Sequence, residues 1–201
     1  MKYEILDQRH ANLVTAFSCV ETDEMLTNLQ SKYKRRVRNH SKEMDDFLKN
    51  EALQEQELQT SKTHLLLDDD GKNIIAYISL CADSIKLEFD EREEENIPYS
   101  TAPAIKIARL AVSVQHRGEG FGRELIEYAA YIATNVSESC GVVFLTLDCY
   151  EHRKDFYLHM GFKENIVQPN TRKYDSPISM RINLIDLQER IAEHNTKKPL
   201  E

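Results

Sequence analysis

Gly118, Gly120 and Gly122 stand at alternate positions in a chain of 201 residues that holds only six glycines. The segment around them is Val114-Gln115-His116-Arg117-Gly118-Glu119-Gly120-Phe121-Gly122-Arg123. It joins an apolar strand pattern to a helical one. Glycine permits a positive φ and a close approach to the backbone. The first turn of a helix presents unpaired amide hydrogens at the positive end of its dipole. Strand, glycine turn and helix start together form a site for a phosphate or a diphosphate. Arg117 and Arg123 add positive charge beside it. Simple chain reversal would not require three alternating glycines. The P-loop pattern Gly-x-x-x-x-Gly-Lys-Ser/Thr is absent. The dinucleotide pattern Gly-x-Gly-x-x-Gly is not met either, and it belongs on the first strand of a parallel unit.

The elements that must position this turn are legible from periodicity. Lys2–Leu6 reads as a short first strand, and residues 12–58 read as mostly charged helix. Met44, Phe47, Leu48 and Ala52 make an apolar stripe at helical spacing. Thr63–Leu67 and Ile74–Cys81 are apolar runs separated by Asp68-Asp69-Asp70-Gly71-Lys72-Asn73, a hairpin signal. Glu88–Glu95, with six acids and one arginine, reads as a solvated loop. In the strand Ile105–Val114, Ile105 and Ile107 set one alternation, and Leu110, Val112 and Val114 set the opposite one. A one-residue slip turns a strand over unless a bulge absorbs it, which predicts a bulge near Ala108–Arg109; a strand buried on both faces is the other reading. Phe121–Val136 is the clearest helix, with Phe121, Leu125, Ala129, Ile132 and Val136 on one face. A strand at Val142–Leu147 follows, then a helix at Glu151–Met160 that Gly161 closes. Strands at Phe162–Val167 and Ile178–Leu184 flank a polar loop, and Asp186–His194 reads as a terminal helix. The pattern predicts an α/β or α+β domain with a mixed sheet. It occupies residues 1–195, with a helical segment at 10–60 and a disordered tail at 196–201.

Gln115-His116-Arg117-Gly118-Glu119-Gly120 fits the motif Gln/Arg-x-x-Gly-x-Gly/Ala at every fixed position. Phe156-Tyr157-Leu158-His159-Met160-Gly161-Phe162 fits Phe-Tyr-x-x-x-Gly-Phe, about 40 residues on. With both motifs in this order, the chain resembles the GNAT superfamily of acetyl-CoA-dependent N-acetyltransferases over residues 63–184. The resemblance implies a largely antiparallel mixed sheet of about seven strands, a bulged central strand and helices on both faces. Asp46–Ala52, Ile75–Leu80, Arg109-Leu110-Ala111-Val112 and Ser179–Asn183 are similar to segments of the toxin branch that acetylates charged tRNA. Two positions depart from the family pattern. Tyr150 stands where many members carry asparagine, and Arg153 where many carry alanine.

The resemblance also implies a mechanism. The acetyl-CoA diphosphate would lie on the turn formed by Gln115, His116, Arg117, Gly118, Glu119, Gly120, Phe121, Gly122 and Arg123. The pantetheine arm would pair with the open strand edge at Leu110, Ala111 and Val112. An amide near Leu110 would polarise the thioester carbonyl. The acceptor amine would attack directly, and Tyr157, a phenol that keeps its proton at neutral pH, would protonate the leaving thiolate. The general base stays open among Asp83, Glu88, Asp90 and Asp148. Cys149 lies at a strand end with no histidine partner in sequence, which argues against a covalent acetyl intermediate. His116 is read as facing solvent.

Cys19, Cys81, Cys140 and Cys149 are scattered with no Cys-x-x-Cys pair, as in a reducing cytoplasm and without a zinc site. No run approaches the roughly 20 apolar residues of a membrane span, and the first residues lack a signal peptide's apolar block. The formal charge of −8 argues against charge-driven nucleic-acid binding. Its distribution weakens that argument. Residues 88–95 carry −5, whereas Lys32-Tyr33-Lys34-Arg35-Arg36-Val37-Arg38-Asn39-His40-Ser41-Lys42 carries +6. The basic strip reads first as a solvated helix face and second as a strip for RNA phosphates. The first expectation is therefore acetyl transfer to a small-molecule or protein amine. Acetylation of aminoacyl-tRNA is the alternative, and a non-catalytic acyl-CoA-binding module a third. A homodimer is expected from the resemblance.

Overall fold

The computed structural model describes residues 1–168 and 176–196. Its strands are β1 (Lys2–Ile5), β2 (Lys62–Leu67), β3 (Ile74–Lys86), β4 (Thr101–Val112), β5 (Phe144–Cys149), β6 (Lys163–Glu164) and β7 (Ile178–Asn183). Its α-helices are α1 (Ala11–Ala16), α2 (Ser31–Asn50), α3 (Ala52–Glu57), α4 (Phe89–Glu95), α5 (Phe121–Ser137), α6 (Lys154–His159) and α7 (Leu184–Thr196). The strands form one seven-stranded sheet in the order β1-β2-β3-β4-β5-β7-β6. β4 and β5 run parallel, from Ala104–Phe144 to Ile107–Leu147. β1–β2, β2–β3, β5–β7 and β6–β7 are antiparallel. The mixed, largely antiparallel sheet expected from the sequence is the one observed.

The chain divides into two compact units, Met1–Cys81 with Ala108–Leu125, and Ala82–Ile107 with Ile126–Glu201. In the first, β2 and β3 are joined at the predicted hairpin. The Asp68 carboxylate accepts from the Lys72 amide at 2.7 Å and the Asn73 side chain at 2.6 Å, while Gly71 takes a φ of 69°. A register shift between Leu66 and Leu67 adds a bulge that the sequence pattern did not announce. The helical stripe faces inward as read: Phe47, Leu48 and Ala52 are buried, and Met44 packs beside them. They meet Leu65, Leu67, Ile74 and the fully buried Tyr77. The Tyr77 hydroxyl donates to the Met44 carbonyl at 2.7 Å, so its one polar atom is satisfied. The Arg109 guanidinium lies over the Phe47 ring, 5.0 Å from its centroid.

The second unit corrects the reading of Glu88–Glu95. That segment is a helix, not a solvated loop. Glu88 and Glu91 form a reciprocal capping box, and Asn96, at φ 56°, ends the helix in the left-handed conformation. Glu91 is buried rather than solvated, because its carboxylate meets Arg181 Nη1 at 2.6 Å. Arg181, itself buried, also donates to Asn165 Oδ1 at 3.1 Å and lies over the Phe144 ring. The same Glu91 carboxylate accepts the amides of Glu88 and Ile166.

Three further expectations shift. On α5 the fully buried residues are Leu125, Ile126, Ala129, Ala130 and Ala133. The predicted face is turned, with Val136 36% exposed, because alanines allow close packing where the larger side chains were expected to point inward. β5 begins and ends two residues later than read. Along β4 the buried positions are Ala102 and Ala104, then Ile107 and Ala111. Between them residues 105, 106 and 108–110 are half-buried, and Ala104–Ile107 pair with Phe144–Leu147 in unbroken register, a pattern nearer to a strand covered on both faces than to strict alternation. Of the predicted tail, Thr196 closes α7 and residues 197–201 lie outside the described residues.

Glu91→Ala would leave Arg181 buried without its main counter-ion and should lower unfolding free energy by about 3–5 kcal/mol. The exposed neighbour change Glu93→Ala should stay within about 0.5 kcal/mol. Urea denaturation of the two variants checks this; equal losses would show that Glu91 contributes no more than a surface acid.

Candidate active site

The predicted cofactor residues are contiguous along one path in the first unit. Leu110, Ala111 and Val112 close β4, with Ala111 buried and its two neighbours half-buried. Ser113 starts a single 3₁₀ turn, Val114–His116, by accepting the Gln115 amide on its hydroxyl. Gln115, Gly118, Glu119 and Gly120 are exposed, and His116 and Arg117 are half-buried. Gly118 and Gly120 have φ values of 84° and 93°, in the region L side chains avoid. A Cβ at either would meet nothing within 4 Å, so backbone conformation, not crowding, calls for glycine there. The Gly120 carbonyl accepts from the amides of Arg123 at 3.0 Å and Glu124 at 3.2 Å. Gly120 thus caps α5, and Phe121, Gly122 and Arg123 form its first turn. The amides of Phe121 and Gly122 lie ahead of the helical hydrogen-bond ladder, at the positive end of a 17-residue helix. His116 does not simply face solvent: Nδ1 lies 3.1 Å from Glu119 Oε2, and the ring meets Phe121 edge-on at 5.9 Å. Positive-φ glycines bordering open space and the unladdered amides of a helix start are the backbone features that an anion such as a diphosphate would use.

Arg117 is engaged within the protein. Its guanidinium donates to Glu21 Oε1 and to the Cys19 carbonyl. Glu21 is buried and accepts the Ser41 hydroxyl on its other oxygen. Burial opposes ionisation of Glu21, but Ser41 and Arg117 outweigh it and hold the carboxyl below its ordinary range. Sequence reasoning missed Glu21. Its partner lies 96 residues away, and no local pattern marks it.

In the second unit, Tyr157 sits on α6, preceded by the turn Glu151–Arg153 and followed by Gly161 at φ 98°. Its carbonyl accepts the Phe162 amide at 3.0 Å. Its ring packs edge-on against Phe156 at 5.0 Å and Phe162 at 5.7 Å. Both aromatic members of the motif thus hold the phenol ring. Burial pushes the phenol well above its ordinary value, the Cys149 thiol adds to the rise, and Arg153 opposes it. Tyr150 stacks on His152. Cys149 is buried, and its pKa is pushed up to about 12, chiefly by desolvation, so it is a poor nucleophile. All four cysteines are free thiols.

The candidate bases differ in setting. Asp83 accepts the Thr146 hydroxyl at 2.7 Å, and Asp148 is ion-paired with Lys106 at 2.7 Å. Glu88 caps α4, and Asp90 is exposed on its first turn. Among the described residues, no group of three or more His, Cys, Asp or Glu is arranged to hold a metal ion. No described helix is long and apolar enough to cross a membrane.

The basic strip occupies the first half of α2. Lys32, Tyr33, Arg35 and Lys42 are exposed, Lys34 and Arg36 half-exposed. Val37, His40 and Ser41 turn inward. Arg38 is ion-paired with Asp23 at 2.6 Å.

The acetyltransferase (GNAT) domain family matches residues 60–164, just over half of the chain. The fold is similar to that of a tyrosine-to-phenylalanine variant of KacT, with a TM-score of 0.71 and 19% identity over 94% of this chain and 98% of that one. It is similar to AtaT complexed with acetyl-methionyl-tRNAfMet, with a TM-score of 0.71 and 17% identity over the same shares. AtaTR bound with AcCoA gives 0.64 and 17% over 94% of this chain and 97% of that one. At these identities the likeness is one of fold. The family match, together with the glycine turn and the Phe156-Tyr157 motif, makes the chain a member of the GNAT acetyltransferases, an N-acetyltransferase with acetyl-CoA as its cosubstrate.

Proposed function

We propose that the acceptor is the α-amino group of an aminoacyl-tRNA. One observation carries this reading: the likeness to AtaT, a protein captured with acetyl-methionyl-tRNAfMet, extends over 94% of this chain. It therefore takes in N-terminal helices that the family domain at 60–164 does not include. That helical segment bears the exposed basic strip, suited to phosphates, with Tyr33 46% exposed beside it for a base to stack on. This favours the tRNA acceptor over the small-molecule or protein amine first expected.

In this reading the amides of the 117–123 turn bind the diphosphate of acetyl-CoA, which supplies the acetyl thioester. The backbone edge at Leu110–Val112 orients the pantetheine arm, and the Leu110 amide donates a hydrogen bond to the thioester carbonyl. Tyr157 holds its proton at the phenolic oxygen and delivers it to the departing sulfur. A pKa raised above the ordinary value of about 10 keeps that proton in place through the alkaline range.

Tyr157→Phe should lower kcat at least about 100-fold and change KM for acetyl-CoA little. In the unmodified protein the kcat profile should show no loss attributable to Tyr157 up to about pH 10. Steady-state CoA-release kinetics check both, and an unchanged kcat removes Tyr157 from the mechanism. Gly120→Asp sets a carboxylate against the diphosphate and should weaken CoA binding more than about tenfold by calorimetry; retained affinity would move the phosphate site. Purified charged tRNA should be acetylated at its amino acid, and Lys32→Glu with Arg35→Glu should reduce that rate and flatten its salt dependence. Acetylation of simple amines but not of charged tRNA would return the acceptor to the first expectation.

A further inference from the structure

The segment between α1 and α2 serves the cofactor turn in a way the family motif does not describe. Ser18 accepts the Val114 amide on its carbonyl at 2.9 Å, and the Cys19 carbonyl accepts from Arg117. Glu21 takes the other half of the Arg117 guanidinium. The segment is anchored in turn to α2. The Cys19 amide donates to Asp45 Oδ1 at 3.0 Å, its thiol donates to the Ser41 carbonyl at 3.3 Å, and the Ser41 hydroxyl donates to Glu21. Lys49 neutralises the other oxygen of Asp45 at 2.6 Å. Arg117, at a variable position of the motif, is thereby turned toward two acceptors immediately before Gly118.

We propose that Glu21 is a positioning residue: by clasping Arg117 it sets the backbone of the glycine turn in the conformation that receives the diphosphate, and through Ser41 it ties that turn to the basic helix α2. The physical argument is the geometry of the clasp. A planar guanidinium held by a carboxylate and a carbonyl has its direction defined. The residue bearing it is adjacent to the first positive-φ glycine, so the amides that follow inherit that definition. Glu21 does not touch the cosubstrate in this scheme and reaches the glycine turn through Arg117. A residue that merely stabilised the fold would change melting temperature without selecting one kinetic constant.

Binding is read with CoA alone as the probe, measured calorimetrically on the full chain without any acceptor, so that arm does not depend on the tRNA reading. Values of kcat and KM are read by CoA release with whichever amine the unmodified protein acetylates. Glu21→Gln keeps the side-chain shape and removes the charge. It should weaken CoA binding about tenfold and raise KM for acetyl-CoA by the same factor, with kcat within about twofold. Ser41→Ala, which spares both members of the pair, should act in the same direction by a smaller factor. Combining Glu21→Gln with Arg117→Met should weaken binding no more than the stronger single change, because both remove one clasp. CoA affinity within about twofold of the unmodified protein in both Glu21→Gln and Ser41→Ala would overturn the proposal. So would kcat falling in parallel with affinity, or strictly additive losses in the double variant. If Glu21→Gln does not fold, Ser41→Ala with an unchanged melting temperature decides the question alone.

Discussion

A backbone that must take positive φ at Gly118 and again at Gly120 is inherently soft, because glycine has many conformations to lose. A binding turn made from it works only if something outside the turn holds it still. In the role proposed for Glu21, the neighbouring guanidinium does so. Arg117 is locked between a buried carboxylate and a carbonyl, and the Gly120 carbonyl starts α5 on the other side. The soft residues lie between two fixed points, and their amides are free of side-chain bulk. An anion bound on such a turn would draw on dipoles already oriented rather than on a mobile cation seeking its partner.

The two units show the same economy with charge. In each, a buried carboxylate is met by an arginine: Glu21 by Arg117, with Ser41 adding a hydrogen bond, and Glu91 by Arg181. Such pairs contribute little net free energy relative to apolar residues, yet breaking one leaves a stranded charge. They therefore define geometry more than they add stability. In the first unit the geometry is that of the glycine turn at 117–120. In the second, one carboxylate holds the start of α4, the amide of Ile166 and β7 together.

The strongest local signals survived intact. The hairpin at 68–73, the apolar stripe running from α2 into α3 and the Gly161 stop depend on a few adjacent residues, so a linear reading finds them. The acidic run was misread because charge composition was weighed above capping. Glu88, Glu91 and Asn96 carried the helix signal, but whether an acid is solvated depends on Arg181, far along the chain. The face of α5 was misjudged for a related reason. Ala130 and Ala133 are buried because a neighbour lies close, and periodicity in large side chains does not register small ones.

Taken alone, the sequence determined the local geometry that depends on contiguous residues: a strand, a glycine turn and a helix start in succession, and a phenol beside two aromatic motif positions. Backbone conformation at such places is decided within a few residues, so the information is local. It also determined that the net charge of −8 hides a basic helix. Only the tertiary structure decided which charges are available. It committed Arg117 to Glu21, Arg38 to Asp23 and Glu91 to Arg181, while leaving Arg35 and Lys42 on the surface. Ion pairing and burial depend on which distant segments meet, and no spacing along the chain encodes that.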